Sequence, residues 1–497
     1  MVRLNIRKSP PRATAMLESL RGLGYSTSSA LADIIDNSIS AGATEVRVFF
    51  YWKDERSLIS IVDDGIGMTD AELESALRLG DRNPLEERGT SDLGRFGMGL
   101  KTASFSQCRR LTVASKRIHG SVSCLRWDLD EIAANPDDGW FLIEGAAAEE
   151  STAALSSLDK FRSGTVVLWE QLDRIVTSGY SSEHFVRLID DVERRLSMVF
   201  HRFIESSGRS KLRLYINDRV VNPWDPFMVG HPSKPWNSPI VRRVTPSGSV
   251  EVECHVLPHR DRLSEREFEL ASGPEGWALQ QGFYVYRNNR LLLAGGWLGL
   301  GNGGRTWHRE ESYRLARIRL DIPNSADAEW KIDIRKSTAR IPVSLKPWLT
   351  NLGSDTRDKA RRVFAWRGSP VNSTSVTPLE QAWKMERTRA GVRYRIDTSH
   401  PVVSNVLESV GSLNPTVKAM LRVIEETVPV QRIWLDTAEN NDVPKTGFEG
   451  EPAENIREVL SVVYNSMLAR GIEPVAARRV LLSTEPFQNF PNLISSL

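Results

Sequence analysis

Leu31 to Gly42 reads LADIIDNSISAG, and the spacing within it organises the rest of the chain. At 3.6 residues per turn, Leu31, Ile34, Ile35 and Ser38 form one apolar or small stripe, while Asp33, Asp36, Asn37 and Ser40 fall on the opposite side. One face packs and the other presents acids and an amide. Asp33 and Asn37 stand four apart, so both side chains project over the same turn, the geometry in which two groups can share one metal-bound ligand. A plain surface helix would also fit this stretch taken alone. Two glycine motifs further on change that balance.

Upstream, Ala13 to Arg21 reads as a short helix followed by the Gly-rich break GLGYSTSS, whose Ser and Thr residues can cap the helix above. Downstream, Glu45 to Trp52 alternates Val46, Val48 and Phe50, and Ser57 to Asp63 carries Leu58, Ile59, Ile61 and Val62, so two strands are expected. The second strand ends in Asp63-Asp64-Gly65-Ile66-Gly67-Met68. Its glycines permit a tight turn and close approach of the backbone to a flat ligand. A carboxylate at that strand end can accept a hydrogen bond from an exocyclic amine.

After a helical piece, Asp70 to Leu79, and a polar loop, the chain reads Gly94-Arg95-Phe96-Gly97-Met98-Gly99-Leu100-Lys101. Glycines so spaced leave backbone N–H groups free for phosphate oxygens, and the run from Leu100 to Gln107 can open a helix whose N-terminus favours an anion. The spacing fits neither the Rossmann fingerprint nor the Walker A loop. Strands at Arg110 to Ser115, Val122 to Asp128 and Gly164 to Glu170 complete an expected mixed sheet with helices on one side, an α+β sandwich. Glu144 to Ser157, rich in Ala, Glu and Ser, reads as a tolerated insertion.

At 497 residues the chain is expected to divide into two to four domains. Hydrophobic residues at 40% and charged residues at 26% describe a globular protein, and no run approaches the roughly 20 apolar residues that span a bilayer. Neither a secretory signal nor a transit peptide is read at the N-terminus, so a cytoplasmic location is expected. Cys108, Cys124 and Cys254 are widely spaced with no C-x-x-C pair, which argues against a disulfide framework or a four-cysteine zinc site. Cys254, His255 and His259 have a loose metal-ligand look but lack a second ligand pair, and packing is the better account. A net charge of +2 is uninformative.

The ordered set of D-x-x-x-N on a helix, D-x-G-x-G-M after a strand, G-x-x-G-x-G-x-K before a helix, and Gly164-Thr165 opening a strand resembles the GHKL ATPases. That superfamily includes gyrase B subunits, MutL, the heat-shock-90 chaperones, histidine kinases and the MORC proteins. The resemblance implies a Bergerat-type site for ATP and Mg²⁺: Asn37 as metal ligand, Asp63 on the adenine amine, and Gly65, Gly67 and Met68 lining the base. It implies Gly94, Gly97, Gly99 and Lys101 around the triphosphate in a mobile lid, and Thr165 supporting Asp63 through a hydroxyl or water. Where the superfamily usually has a glutamate that activates water, this chain has Asp33, about 1.5 Å shorter in reach. Asp33 is expected to be the base with slow turnover, and Asp36 to tune the metal shell.

Ser182 to Glu205 reads as a long amphipathic helix. Lys211 to Asn217, the stretch YRNNRLL with its flanks from Gly282 to Leu292, Arg314 to Ile322 and Trp330 to Lys336 then form a series of strands and turns. This arrangement resembles the transducer domain of gyrase B, MutL and MORC proteins, in which a lysine contacts the γ-phosphate. Lys336 is the best match, with Lys331 behind it. No histidine precedes His119, which leaves a histidine kinase without its phosphoacceptor. The YRNNRLL wording is similar to bacterial MORC-like proteins.

The expected architecture is therefore a GHKL ATP-binding domain over 1–175, a transducer-like α/β domain over 176–350, and a mostly helical accessory region over 351–497. In the last, helices are expected at Pro401 to Val410, Pro415 to Thr427, Asn455 to Arg470 and Pro474 to Leu481, with a Pro, Ser and Thr-rich loop from Ser369 to Thr377. The expected function is a Mg²⁺-ATP-dependent homodimerising clamp that slowly hydrolyses ATP and acts on double-stranded DNA with protein partners, in DNA processing or phage defence. An ATP-driven chaperone-like scaffold and an ATP-binding switch with little hydrolysis are the alternatives.

Overall fold

A computed structural model of the chain describes residues 11–81, 98–135, 139–208, 211–327, 329–333, 336, 338–364, 380–388, 391–433, 448 and 452–497. The chain forms two compact units, 1–364 and 365–497.

The first unit opens with helices α1 (Ala13–Arg21) and α2 (Thr27–Ser40). The Ser26 hydroxyl accepts the Ser29 N–H at 3.2 Å and so caps α2, satisfying one of the donors that a helix start leaves open. There follow β1 (Glu45–Tyr51), β2 (Leu58–Asp63), α3 (Asp70–Leu77), α4 (Gly99–Phe105), β3 (Arg110–Lys116), β4 (Ser123–Asp128), β5 (Ile143–Glu144) and β6 (Gly164–Glu170). Beyond the long helix Ser182–Val199 come β7 (Arg213–Ile216) and β8 (Arg219–Val220). The eight strands make one sheet in the order β5-β4-β3-β6-β2-β1-β7-β8, antiparallel at every pairing except β1 with β7.

The apolar stripe of α2, Leu31, Ile34 and Ile35, packs on Val46, Val48, Ile59 and Ile61 of the sheet. Phe185, Val192 and Leu196 of the helix Ser182–Val199 and Leu214 and Ile216 of β7 join this same core, which therefore runs well past residue 175. β2 is buried along its whole length, so the sheet has a second cover. That cover comes from the stretch read as a tolerated insertion. Helix Glu149–Leu155 and the turn Ser156–Lys160 place Ala154 and Leu158 against Leu168, Val62 and Val166. Ser151 donates to the buried Glu170 carboxylate at 2.6 Å. Its Ala and Ser content, which suggested a tolerated insertion, suits close packing on the sheet.

A second sheet carries the strands Val241–Thr245, Gly248–Val256, Ala316–Ile322, Gly282–Arg287 and Arg290–Leu293 in that spatial order. Helix Lys346–Phe364 packs over it through Leu349 and Ala360. The expected strand and turn around YRNNRLL is a tight hairpin in which Asn288 and Asn289 both have positive φ, 47° and 65°, the backbone that a two-residue β-turn requires. Of the stretch Trp330 to Lys336, expected to close the series, the described residues 330–333 and 336 lie in no strand. Trp330 is fully buried, and the Lys336 N–H donates to the Asp333 carbonyl at 3.0 Å in a turn.

The second unit holds the hairpin Trp383–Thr388 with Gly391–Ile396 and the helices Pro401–Ser409, Asn414–Glu426, Ala453–Ala469 and Pro474–Leu482. Ile456, Leu460, Tyr464, Met467, Leu481 and Phe487 form its core. The four helices lie where hydrophobic spacing put them, whereas the hairpin went unread and Ser369 to Thr377 lie outside the described residues. Among the described residues no helix is long and apolar enough to cross a membrane.

Candidate nucleotide site

On the side of α2 that presents the acids and the amide, the acids are covered. Asp33 and Asp36 are 4% and 1% exposed, while Asn37 and Ser40 stand in the open beside them. The cover is cationic. The Lys336 ammonium donates to Asp33 Oδ1 at 3.1 Å and to Asp36 Oδ2 at 2.5 Å. The Arg290 Nε lies 3.2 Å from both Asp36 oxygens, and its Nη2 is 3.9 Å from Asp33 Oδ1. The remaining Asp33 oxygen accepts the Tyr25 hydroxyl at 3.0 Å.

Burial pushes the Asp36 carboxyl up, but the charges of Arg290 and then Lys336 outweigh it and hold the group below its usual value. Burial and the neighbouring Asp33 charge push the Tyr25 phenol well up, so Tyr25 remains a donor. Asp36, expected to tune a metal shell, is the buried partner of two cations from the far part of the chain. The turn that presents Lys336 is built by Asp333, whose Oδ1 accepts the Thr338 N–H at 2.8 Å. Lys331 is exposed and takes no part in this cluster.

Asp63, at the end of β2, is buried among neutral donors. Ser38 of α2 donates to its Oδ2 at 2.7 Å, the Gly65 N–H to its Oδ1 at 2.9 Å, and the Thr165 main chain adds a third. Without a cation nearby, burial dominates and pushes this carboxyl up to about 6. Thr165, expected to support Asp63 through a hydroxyl or water, pairs with it across β2 and β6, and its hydroxyl meets Ser115 Oγ at 2.9 Å. Ser115 Oγ also accepts the Met68 N–H at 2.9 Å, which fixes the loop after β2 against β3. Gly67, with φ +67°, has room for no side chain: a Cβ there would fall 1.8 Å from the Lys116 carbonyl oxygen. The second acid, Asp64, accepts the N–H groups of Thr44 and Glu45 at 2.7 and 2.8 Å and so anchors the start of β1.

Gly99 opens α4, whereas Gly94 and Gly97 lie outside the described residues. Lys101, expected around the triphosphate, is buried, and its ammonium donates to the Ala76 carbonyl at 2.8 Å. The last turn of α3 leaves carbonyls without helical partners, and a buried lysine answers one of them. The cluster around His255 is packing. Its ring lies 4.5 Å from the Phe227 ring centre, its Nε2 is 3.5 Å from Glu253, and Cys254 is buried in the second core.

Tyr25, Ser38 and Arg290 hold the acids and were not singled out from sequence. Ser38 counted only as a small residue in the apolar stripe, and Arg290 only as part of YRNNRLL. This donor set fits the nucleotide and Mg²⁺ that such a motif order implies. A carboxylate offers about four acceptor sites, so Asp63 keeps capacity for one more donor after Ser38, Gly65 and Thr165. Asn37 offers an open amide oxygen.

Residues 25–165 match the family described as Histidine kinase-, DNA gyrase B-, and HSP90-like ATPase. This part of the chain therefore carries a GHKL-type ATPase domain, in an α+β unit with an eight-stranded mixed sheet. Over 90 residues the chain is 31% identical to the DNA mismatch repair protein MutL of Rickettsia prowazekii (strain Madrid E). It is 30% identical over 90 residues to the MutL of Rickettsia bellii (strain OSU 85-389), and 29% identical over 89 residues to the ATPase morc-1 of Caenorhabditis elegans. Each stretch is 18% of this chain; it spans 15% of either MutL and 10% of morc-1.

Proposed function

We propose that this chain is a Mg²⁺-ATP-dependent switch that dimerises on nucleotide binding, closes as a clamp on double-stranded DNA with protein partners, and slowly hydrolyses ATP. The observation that carries the reading is the contact of Lys336 with Asp33 across 303 residues, which joins the α2 acids to a residue presented beyond the second sheet. The family match over 25–165 and the similarity to MutL and morc-1 support the nucleotide and DNA parts. In this reading 1–175 is the ATP-binding domain, 176–350 the transducer-like domain and 351–497 an accessory region.

Asp63 accepts a hydrogen bond from the adenine amine, and the loop fixed by Met68 and Ser115 backs the base. Asn37 supplies one oxygen to Mg²⁺, which suits a cation that prefers few protein ligands and several phosphate or water oxygens. Bound Mg²⁺-ATP supplies a γ-phosphoryl group whose charge the metal offsets. Asp33 takes the proton from the attacking water once Lys336 turns from its carboxylate toward the phosphate. Contacts made in only one state are what allow a ligand to shift a conformational equilibrium, and Lys336 changing partner is such a contact. A second reading, an ATP-binding switch with little hydrolysis, is favoured by the hold on Asp33: both of its oxygens are engaged, by Tyr25 and Lys336.

Phosphate release with Mg²⁺-ATP, with and without long double-stranded DNA and across a salt series, tests the proposal. DNA-stimulated release, with log affinity for DNA falling against log salt, is expected. Nucleotide binding without release under either condition would favour the switch. Release that DNA leaves unchanged would contradict the clamp and favour the chaperone-like scaffold.

A further inference from the structure

Asp33, Asp36, Arg290 and Lys336 bring two negative and two positive charges into one buried cluster, and its two cations are held differently. Arg290 belongs to the strand Arg290–Leu293, is 5% exposed, and is fixed at several points. Its Nε lies 3.2 Å from both Asp36 oxygens, its Nη1 donates to the Leu291 carbonyl, and its guanidinium lies 5.7 Å from the Phe200 ring centre. Lys336 is a single ammonium on a turn, shared between Asp33 and Asp36.

Resting on the nucleotide reading above, we propose that Arg290 is a positioning residue: it is the fixed counter-charge of Asp36 and so leaves Lys336 as the exchangeable cation of the cluster. When Lys336 turns toward a phosphate, Arg290, which lies 3.2 Å from Asp36 and 3.9 Å from Asp33, stays with the acids. The buried acids then keep one positive neighbour. Without Arg290, the same movement leaves two buried carboxylates with no cation of the protein against them, and poorly compensated buried charge is among the costliest arrangements a protein can adopt. Lys336 would then stay on Asp36. Arg290 thus sets the cost of releasing Lys336 without itself touching nucleotide.

The test compares equilibrium affinities for Mg²⁺-ATP and Mg²⁺-ADP in the full chain and in Lys336→Met, Arg290→Met, Arg290→Lys and the double variant Arg290→Met/Asp36→Asn. Losing a charged contact to the γ-phosphate should reduce the ATP-over-ADP preference of Lys336→Met about tenfold. Arg290→Met, although it keeps Lys336, should fall to the same preference, with ADP affinity within about threefold of the parent. Arg290→Lys and the double variant should recover most of the preference, since one restores the cation and the other removes the acid that needs it. An unchanged preference in Arg290→Met would overturn the proposal, as would an equal loss of ATP and ADP affinity, which marks a merely structural role. If the parent chain bound neither nucleotide, the nucleotide reading would fall by itself. Urea unfolding of the Arg290→Met and Asp36→Asn cycle would then judge the pairing, supported by non-additive effects and overturned by additive ones.

Discussion

Asp63 and Asp36 are both buried carboxylates, 6% and 1% exposed, 27 positions apart in sequence, yet they titrate in opposite directions. Asp63 is surrounded by neutral donors from Ser38, Gly65 and Thr165, and burial pushes it up to about 6. Asp36 suffers the same burial but faces Arg290 and Lys336, which hold it down. The difference teaches that the kind of partner, not the depth of burial, sets the charge of an acid here. It also separates two tasks. A carboxylate held by neutral donors is suited to accept one more neutral donor, whereas a carboxylate held by cations is suited to exchange them.

The largest effect should come from removing the acceptor of the first region. Asp63→Asn replaces a charged acceptor with an amide and should weaken ATP binding about 100-fold while relaxing its preference over GTP, measured by calorimetric titration. Binding within about threefold of the parent would break the contrast, because Asp63 would then be no more than a structural acid.

A smaller effect should appear in stability against pH. The folded value of Asp63 lies above its unfolded value of 3.8, so the native state holds this proton longer. Its contribution to stability is therefore fully present below about pH 4 and lost as the pH rises towards about 6. Urea unfolding across this window should cost the parent about 1 to 3 kcal/mol relative to Asp63→Asn. The depressed value of Asp36 acts in the other sense: its contribution is present above 3.8 and lost as the pH falls below it. Parallel curves for parent and Asp63→Asn would erase the distinction between the two acids.

The smallest effect should come from Tyr25→Phe. It removes one neutral donor from Asp33 and leaves the cations in place, so thermal unfolding should register about 1 to 2 kcal/mol. Phosphate release should change by less than about tenfold. A complete loss of release would mean that Tyr25, and not Lys336, governs Asp33.

The same contrast explains what could be read from sequence. The Asp63 side was legible because its parts are close together: the strand, the D-x-G-x-G turn and the glycine at Gly67 are local, and local spacing constrains them. The packed stripe of α2 was legible for the same reason. Its opposite face was legible as one presenting acids and an amide, but not the cations on those acids, because Arg290 and Lys336 lie 254 and 300 or more positions away. Only resemblance to a known family pointed to Lys336, and nothing local pointed to Arg290. Lys101 illustrates the converse. Its glycine-rich setting suggested phosphate, but a helix-end carbonyl, Ala76, takes its ammonium. The stretch 144–157, read as a tolerated insertion, carries a helix packed on the sheet, because small residues fit close packing as well as they fit loops.

The central claim is that the α2 acids serve a hydrolytic site governed by an exchangeable lysine. Single-turnover phosphate release by Asp33→Asn, with Mg²⁺-ATP affinity measured on the same protein, tests it most directly. The account predicts affinity within about threefold of the parent and release slowed at least about 100-fold, since a general base contributes on the order of 10²–10⁴. Release within a few-fold of the parent, with binding intact, would contradict it and move the base away from α2.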